Sequence, residues 1–163
     1  MKTILAAVDF SPITDLVVEQ TAQIGKAFGS TVYLLHVAPP EPDFVGYEPG
    51  PQHVRDNVAK SIHEHHDVLH QLRDRVASTG VETKVLLIQG PTVEKIVSEA
   101  QRVEADLIII GSHGYGAIRQ LILGSVSEGV VKDAPCPVLV VPRSLIEADE
   151  EQESAEGIDS PNS

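Results

Sequence analysis

The sequence contains a single cysteine, Cys136, among its 163 residues, so no disulfide can form within the chain. It is also poor in positive charge, because 12 Lys and Arg residues stand against 24 Asp and Glu residues and the net charge is −12. Nucleic acids and anionic membrane surfaces are bound through basic faces, so neither is predicted as a partner. No apolar run approaches the roughly 20 residues of a membrane-spanning helix. These shortages together predict a cytoplasmic protein in a reducing compartment.

The negative charge is concentrated at the C-terminal end of the chain. Residues 144–163 hold seven acidic residues and no Lys or Arg, with too little apolar content to pack. We therefore predict one folded domain over residues 1–143 and a disordered acidic tail over residues 144–163. The apolar run at the N-terminus is superficially like a signal peptide, but Asp9 and Pro12 interrupt it, which favours a first β-strand.

Apolar patterns predict five strands that alternate with four helices. The strands are predicted at residues 3–8, 31–37, 83–88, 106–110 and 137–141. The helices are predicted to begin at Ser11-Pro12, at residue 53, at Gly90-Pro91-Thr92 and at Ser125. This alternation predicts a single doubly wound α/β domain with a five-stranded parallel sheet. Such sheets bind ligands beyond the carboxyl ends of their strands, where the strand order reverses.

The residues that flank the first helix predict its limits. Ser11 is a typical N-cap, Pro12 is a typical first helical residue, and Gly29 is expected to end the helix. Apolar residues follow helical spacing as far as Phe28. Residues 38–52 contain five prolines and two glycines, which predict a long surface loop. An ordinary connection is favoured over a lid that would cover a bound ligand.

Two groups of glycines follow the fourth predicted strand. Gly111 and Gly114 come directly after it, and Gly124 precedes Ser125 at a predicted helix start. Glycine lets backbone N–H groups approach a phosphate without an intervening Cβ, and a helix start adds free N–H groups. The spacing Gly-x2-Gly-x9-Gly-Ser is neither the dinucleotide fingerprint nor a Walker loop. It predicts an anion cradle, although simple turns, or a capping box from Ser125 to Glu128, are structural alternatives.

Taken together and in order, these segments resemble the universal stress protein family, in its ATP-binding branch. The resemblance rests on the glycine spacing, on the opening ILAAVDFSP, on LLHV, and on the run from DLIIIGSHG through GSVSEGVV to APCPVLVV. It extends over residues 1–142 and leaves out the proline-rich loop and the acidic tail. It implies a Rossmann-like fold of the adenine nucleotide alpha hydrolase type with a nucleotide-binding site.

The resemblance implies that ATP, or ADP or AMP, is bound as a cofactor together with Mg2+. Asp9 would contact the ribose or the adenine, and Ala7 and Val37 would line the adenine pocket. Ile110 would precede the phosphate turn, and the residues around the triphosphate would be Gly111, Gly114, Gly124, Ser125 and Val126. Arg119 is the only cation between the glycine groups, so backbone dipoles and a divalent metal would have to balance the phosphates. No protein ligand of the metal is assigned.

The resemblance also implies a homodimer joined in antiparallel fashion through the edge strand Val138–Val141. The implied function is a nucleotide-dependent regulator of the stress response that acts on an unidentified protein partner. No nucleophile and base suited to fast turnover are visible, so we expect at most slow ATP hydrolysis or autophosphorylation at Ser125 or Ser127. A nucleotide-hydrolysing or nucleotidyl-transfer enzyme and a nucleotide-free interaction module are the alternative hypotheses.

Histidines form a further set of candidate ligands. His63, His66 and His70 follow i, i+3, i+7 spacing on one stripe of the predicted second helix, where imidazoles can bind a transition metal. A solvated helix face is favoured, because no cysteine or further fixed carboxylate converges on them in the sequence. His36 lies in a predicted strand and is expected to pack in the core. His113 lies in the glycine turn, where its backbone is expected to matter more than its side chain.

Overall fold

A computed structural model describes residues 1–39, 52–112 and 123–142, with side chains throughout except over residues 52–59. The strands of this part of the chain are β1 (Thr3–Ala7), β2 (Thr31–Ala38), β3 (Thr83–Gln89), β4 (Leu107–Gly111) and β5 (Val138–Val141). The helices are α1 (Thr14–Phe28), α2 (Gln52–Ala77), α3 (Thr92–Arg102) and α4 (Ser125–Asp133). The predicted doubly wound α/β fold is confirmed. None of the described helices is long and apolar enough to cross a membrane.

All five strands run parallel, in the spatial order β3-β2-β1-β4-β5. The central strand β1 pairs with β2 from Thr3 opposite Thr31, and with β4 from Ile4 opposite Leu107. The chain first builds outward from β1 through β2 to β3, and it then crosses back to add β4 on the other side. The strand order therefore reverses between β1 and β4, which is the point where sheets of this type bind ligands.

Each face of the sheet carries its own apolar cluster. On one face, α1 and α2 contribute Val17 and Leu69 to a cluster with the inward side chains of β1, β2 and β4. On the other face, α3 and α4 contribute Ile96 and Val130. The strand β4 is buried on both faces, as its continuous apolar run predicts for the interior of a parallel sheet.

The start of α1 differs from the prediction. The helix begins at Thr14, with Ile13 at the N-cap position and no side-chain cap. Ser11, the predicted N-cap, instead donates its N–H and its hydroxyl to Oδ1 of Asp9, at 3.0 and 2.6 Å. This side-chain turn competes with the helix for Ser11, and so the helix starts later in the chain. Gly29 ends the helix with a φ of 62°, as predicted.

Phe28 follows the apolar spacing of α1 but does not pack in the core, because 59% of this residue is exposed. The buried residues of α1 end at Gly25, which packs so closely that an added Cβ would lie 3.0 Å from Cγ1 of Val81. Phe28 is the last residue of the helix and lies beyond this packed part. Helical spacing identified the correct stripe of α1 but could not show how far along it the sheet extends.

Candidate functional site

A cleft opens at the switch point, beyond the carboxyl ends of β1 and β4. Its volume is about 200 Å3. The lining residues come from three strand ends and from the starts of three helices: Ala7, Val8, Asp9, Ile13, Thr14, Val17, Leu35, Val37, Thr92, Ile96, Ile110, Gly111, Val126 and Ser127. Most of these are apolar and a few are polar, which is the usual character of a small-molecule site.

Most of the predicted binding residues meet at this cleft. The predicted residues that line it are Ala7, Asp9, Val37, Ile110, Gly111 and Val126. Gly124 and Ser125 lie beside it at the start of α4, as the N-cap and the first helical residue. Gly114 lies outside the described residues. Segments that are distant in sequence come together here because the carboxyl ends of parallel strands share one edge of the sheet.

Asp9 is the one ionisable residue among those that line the cleft. Its Oδ1 accepts both hydrogen bonds from Ser11, which fix the orientation of the carboxylate. Within the described residues Oδ2 accepts no hydrogen bond and is available to a ligand. The cleft therefore presents a fixed negative charge at the end of β1, which suits a hydroxyl or amino group and repels a phosphate.

Thr14 is a polar residue of the cleft that the sequence analysis missed. Only 6% of the residue is exposed, and its Oγ1 is buried without a hydrogen-bond partner in the described part of the chain. An unpaired buried hydroxyl costs about 1–3 kcal/mol, so such a group calls for an explanation. In the sequence Thr14 is an ordinary polar residue near a helix start, and only the missing partner distinguishes it.

The start of α4 supplies backbone N–H groups at the edge of the cleft. The N–H of Glu128 donates to the carbonyl of Gly124, so the N–H groups of residues 125–127 lie in the first turn, where a helix offers them no partner. The capping box predicted for Ser125 is wrong, because Gly124 is the N-cap and no side chain caps the helix. Uncapped N–H groups and the helix dipole together favour an anion at this position.

Ser127 joins α4 to the end of β4. Its hydroxyl donates to the carbonyl oxygens of Gly111, at 2.7 Å, and Ser112, at 3.2 Å. The N–H of Gly124 also donates to the carbonyl of Ser112, at 2.8 Å. These bonds hold the helix start against the strand end. Because Ser127 is buried and its hydroxyl is bonded, it is a poor phosphorylation site, whereas Ser125 is exposed.

A cluster of rings formed by Phe10, His36 and His65 lies next to Asp9. The ring of His36 stacks on Phe10 at a centroid distance of 4.1 Å and meets His65 edge-on at 4.8 Å. Nδ1 of His36 lies 2.8 Å from the carbonyl oxygen of Val8. A carbonyl can only accept, so Nδ1 carries the proton of the neutral ring. Burial lowers the pKa of His36 despite this hydrogen bond, and the prediction of a packed core histidine is confirmed.

Fold and cleft define a doubly wound α/β domain with a small-molecule site at its switch point. The sequence model of the universal stress protein family matches residues 1–142, and the chain belongs to this family. It is 36% identical over 141 residues to the universal stress protein in the QAH/OAS sulfhydrylase 3′ region of Thermus aquaticus, covering 86% of this chain and 98% of that protein. The structure of MJ0577 from Methanocaldococcus jannaschii is 31% identical, with a TM-score of 0.73 over 87% of this chain and 96% of that one.

Two similar structures were solved with an adenine nucleotide. The universal stress protein from Archaeoglobus fulgidus in complex with dAMP has a TM-score of 0.60 at 22% identity, over 86% of this chain and 97% of that one. A family protein from Arabidopsis thaliana with AMP bound has a TM-score of 0.59 at 24% identity, over 88% and 92%. At these identities the likeness establishes the shared fold.

Proposed function

We propose that this protein binds an adenine nucleotide, with ATP preferred, in the cleft at the switch point and acts as a nucleotide-dependent regulator of the stress response. One observation carries the proposal: the uncapped first turn of α4 borders an apolar cleft that ends at the free oxygen of Asp9. An anion site and an acceptor for a neutral, hydrogen-bonding group thus border one cavity. A nucleotide has this same division into a phosphate half and a nucleoside half.

The nucleoside half of the proposed site lies at the ends of β1 and β2. Ala7, Val37 and Ile110 provide apolar walls for a planar base. Oδ2 of Asp9 would accept a hydrogen bond from a ribose hydroxyl or from the adenine amino group. The hydroxyl of Thr14 offers a second polar contact, and ligand binding would supply the partner it lacks. Repulsion between carboxylate and phosphate sets the orientation, with the nucleoside toward Asp9 and the phosphates toward α4.

The phosphate half of the proposed site uses backbone rather than side-chain charge. No cationic side chain is among the described residues that line the cleft. Gly124, Ser125 and Val126 would offer the phosphates the N–H groups of the helix start. We also propose that Gly111 and Gly114 lie beside the phosphates. For Gly114 this proposal rests only on its position in the glycine motif. Mg2+ would offset the remaining negative charge, through ligands that include the phosphates themselves.

Relatives support the choice of an adenine nucleotide. The Archaeoglobus protein was solved with dAMP and the Arabidopsis protein with AMP. A third family structure, at 22% identity and a TM-score of 0.64, is a complex with cAMP. All three ligands share the adenine base. The preference for ATP itself rests on the glycine spacing, which provides for more than one phosphate.

We expect binding with slow chemistry at most. Asp9 is the one ionisable residue of the cleft lining, and its assignment to the nucleoside half leaves the phosphate half without a candidate base among the described lining residues. The hydroxyl of Ser127 is engaged by carbonyl groups, so Ser125 is the better acceptor if autophosphorylation occurs. A regulator fits this arrangement better than an enzyme does. Multiple turnovers per minute with labelled ATP would favour the enzyme instead.

We also propose that two copies pair through Val138–Val141. This segment is the edge strand β5, and its residues Val138, Leu139 and Val140 remain only half-buried in a single chain. An edge strand leaves one row of N–H and C=O groups unpaired, so a second copy can continue the sheet. The nucleotide sites of the two copies would then be connected through β4 and β5. A protein partner would bind the dimer.

Thermal unfolding in the presence of nucleotides tests the proposed function. Titration with ATP, ADP, AMP and adenosine, each with and without Mg2+, should raise the melting temperature in the order of affinity. A ligand at 100 times its Kd stabilises the folded state by about 2.7 kcal/mol. Native mass spectrometry of the purified protein should show a co-purified adenine nucleotide. An unchanged melting temperature across millimolar ATP and Mg2+ would leave the nucleotide-free interaction module as the better hypothesis.

A further inference from the structure

The exposed face of α2 carries two histidines one helical turn apart. Nε2 of His66 and Nε2 of His70 lie 3.0 Å apart, and their ring centroids are separated by 4.2 Å. Leu69, which precedes His70, is fully buried in the core cluster on the side of α2 that faces the sheet, and this contact fixes the orientation of the helix. We propose that His66 and His70 together bind a divalent transition-metal ion of the Zn2+ class through their Nε2 atoms.

The separation of the two nitrogens fits a shared metal ion. Zinc–imidazole bonds are about 2.0–2.1 Å long, so two such bonds hold their nitrogens about 2.9 Å apart at a right angle and about 3.3 Å apart at the tetrahedral angle. The 3.0 Å between the rings lies within this range. An ion that binds both nitrogens therefore requires no change in their separation, and the i, i+4 relationship keeps the two rings on one face of the helix.

Asp67 is an exposed carboxylate next to His66. One of its carboxylate oxygens lies 3.9 Å from Nδ1 of His66, the nitrogen that points away from His70. This distance is too long for a hydrogen bond, so Asp67 contributes a nearby negative charge that attracts a cation to the pair. The run His66-Asp67-Val68-Leu69-His70 has the spacing of the zinc-binding H-E-x-x-H helix, with Asp in place of Glu.

The site has two protein ligands and remains open. Within the described residues there is no group of three or more His, Cys, Asp or Glu side chains that could hold a metal ion. Water, or a group from another molecule, would fill the remaining positions of the metal. Structural zinc sites use four protein ligands and catalytic sites use three, so we assign binding alone to this pair. The expected affinity is correspondingly lower than that of a structural site.

A hydrogen bond between the two rings also accounts for the 3.0 Å separation. In that arrangement one Nε2 donates its proton to the other, and no metal is involved. The two explanations differ in what they require, because a metal needs both lone pairs and displaces the shared proton. Zinc titration of the intact chain, with single variants that each remove one ring, distinguishes them.

Calorimetric titration with ZnCl2, in a non-chelating buffer without nucleotide, is the test. His63→Gln is the matched control, because His63 is exposed on the same helix and 3.8 Å from Asp67 but does not belong to the pair. We expect one zinc ion per chain, a loss of affinity of at least tenfold in His66→Gln and in His70→Gln, and less than a twofold change in His63→Gln. Mg2+, which prefers oxygen ligands, should not compete.

Zinc binding that is equally tight in the wild type and in both pair variants would overturn the proposal, as would its absence from the wild type. An equal loss in His63→Gln would also overturn it, since it would indicate diffuse attraction to the helix face. Imidazole NMR signals provide a second measurement. Substoichiometric Cu2+ should broaden the ring signals of His66 and His70 before those of the other histidines. Broadening that begins elsewhere would place the metal outside the pair and refute the assignment.

Discussion

A Cβ placed on Gly111 would lie 2.6 Å from Cγ2 of Ile13. Gly111 ends β4 and Ile13 is the N-cap of α1, so the two elements that frame the cleft touch at a point that has no room for a side chain. The resemblance to the family implied a role for Gly111 in phosphate binding. The close contact with Ile13 is a second reason for glycine at position 111, and this reason does not depend on ligand binding.

Replacement of Gly111 with alanine should destabilise the protein by about 1–3 kcal/mol, because Ile13 must move to admit the methyl group. Urea unfolding without nucleotide measures this cost. The double variant with Ile13→Ala removes the overlapping methyl and should recover part of the loss, so the two effects should not add. Simple additivity in this cycle would show that the contact with Ile13 is not the cause.

Replacement of Gly124 with aspartate should separate stability from nucleotide binding. Gly124 has φ −63° and ψ 155°, which any residue adopts, and aspartate is a favoured N-cap. The free protein should therefore be as stable as the wild type or more stable by roughly a few tenths of a kcal/mol. The new carboxylate would occupy the same N–H groups that the phosphates need and would repel the phosphates. ATP should no longer raise the melting temperature.

Adenosine provides the matched control for Gly124→Asp. It lacks phosphates, so the variant should bind adenosine as the wild type does. Equal weakening of adenosine and ATP would mean that the helix start does not serve the phosphate half of the cleft. Unweakened binding of ATP would have the same meaning.

Replacement of Thr14 with valine removes the unpartnered hydroxyl while the shape is kept. Without ligand the free energy of unfolding should stay the same or rise, because a buried unpaired polar group is lost. Nucleotide affinity should fall about 2- to 10-fold if the hydroxyl hydrogen-bonds the ligand. Thr14→Ser keeps the hydroxyl and should retain the affinity. Equal affinities of the valine variant and the wild type would exclude Thr14 from the binding site.

Replacement of Val140 with proline tests the proposed dimer. The carbonyl groups of Pro137 and Val141 accept from Ile108 and Ser112, so alternate residues of β5 face β4 and Val140 faces away from it. Proline at this position deletes an outward N–H and spares the ladder to β4. Sedimentation should show monomers for Val140→Pro and dimers for Val140→Thr, which keeps the N–H. Dimers in both variants would place the interface elsewhere.

The pH dependence of stability should report the burial of His36. The pKa of His36 is lowered in the folded protein, chiefly by burial and further by His65, while the Val8 hydrogen bond and Asp9 oppose the shift. Above the ordinary histidine pKa of about 6.5 both states leave the ring neutral. As the pH falls below that value the unfolded chain binds the proton more readily, so the free energy of unfolding decreases. This decrease levels off once the pH passes below the folded pKa.

Unfolding titrations between pH 7.5 and pH 5 measure this contribution. His36→Gln cannot take up the proton, so its stability should decline less steeply over that interval than that of the wild type. The exposed His63→Gln should follow the wild-type curve. A slope in His36→Gln equal to that of the wild type would assign the pH dependence to other groups.

The fold was predictable because parallel strands buried on both faces leave continuous apolar runs, such as the run in β4. Given parallel strands, a shared edge for Asp9, Val37 and Ile110 follows from topology. The start of α1 was not predictable in the same way. Ser11 has two possible partners, the helix N–H groups and the carboxylate of Asp9, and the sequence does not show which of them it bonds.

Other features described above depend on distances between atoms in the folded structure, which the spacing of residues in the sequence does not determine. The sequence cannot show that the hydroxyl of Thr14 lacks a partner, since this depends on every group that surrounds it. The contact between Gly111 and Ile13 joins segments about a hundred residues apart. The spacing of His66 and His70 placed them on one face, but the 3.0 Å approach depends on the rotamers that each ring adopts.

The position of β1 has a consequence for biosynthesis. This strand leaves the ribosome before the other four strands of the sheet, yet it lies in the middle of the sheet with β2 on one edge and β4 on the other. About a hundred residues separate the end of β1 from the start of β4. At translation rates of about 5–20 residues per second, the second edge of β1 stays uncovered for roughly 5–20 s. The edge of β1 that pairs with β4 in the folded protein therefore has no strand partner while the residues between the two strands are synthesised.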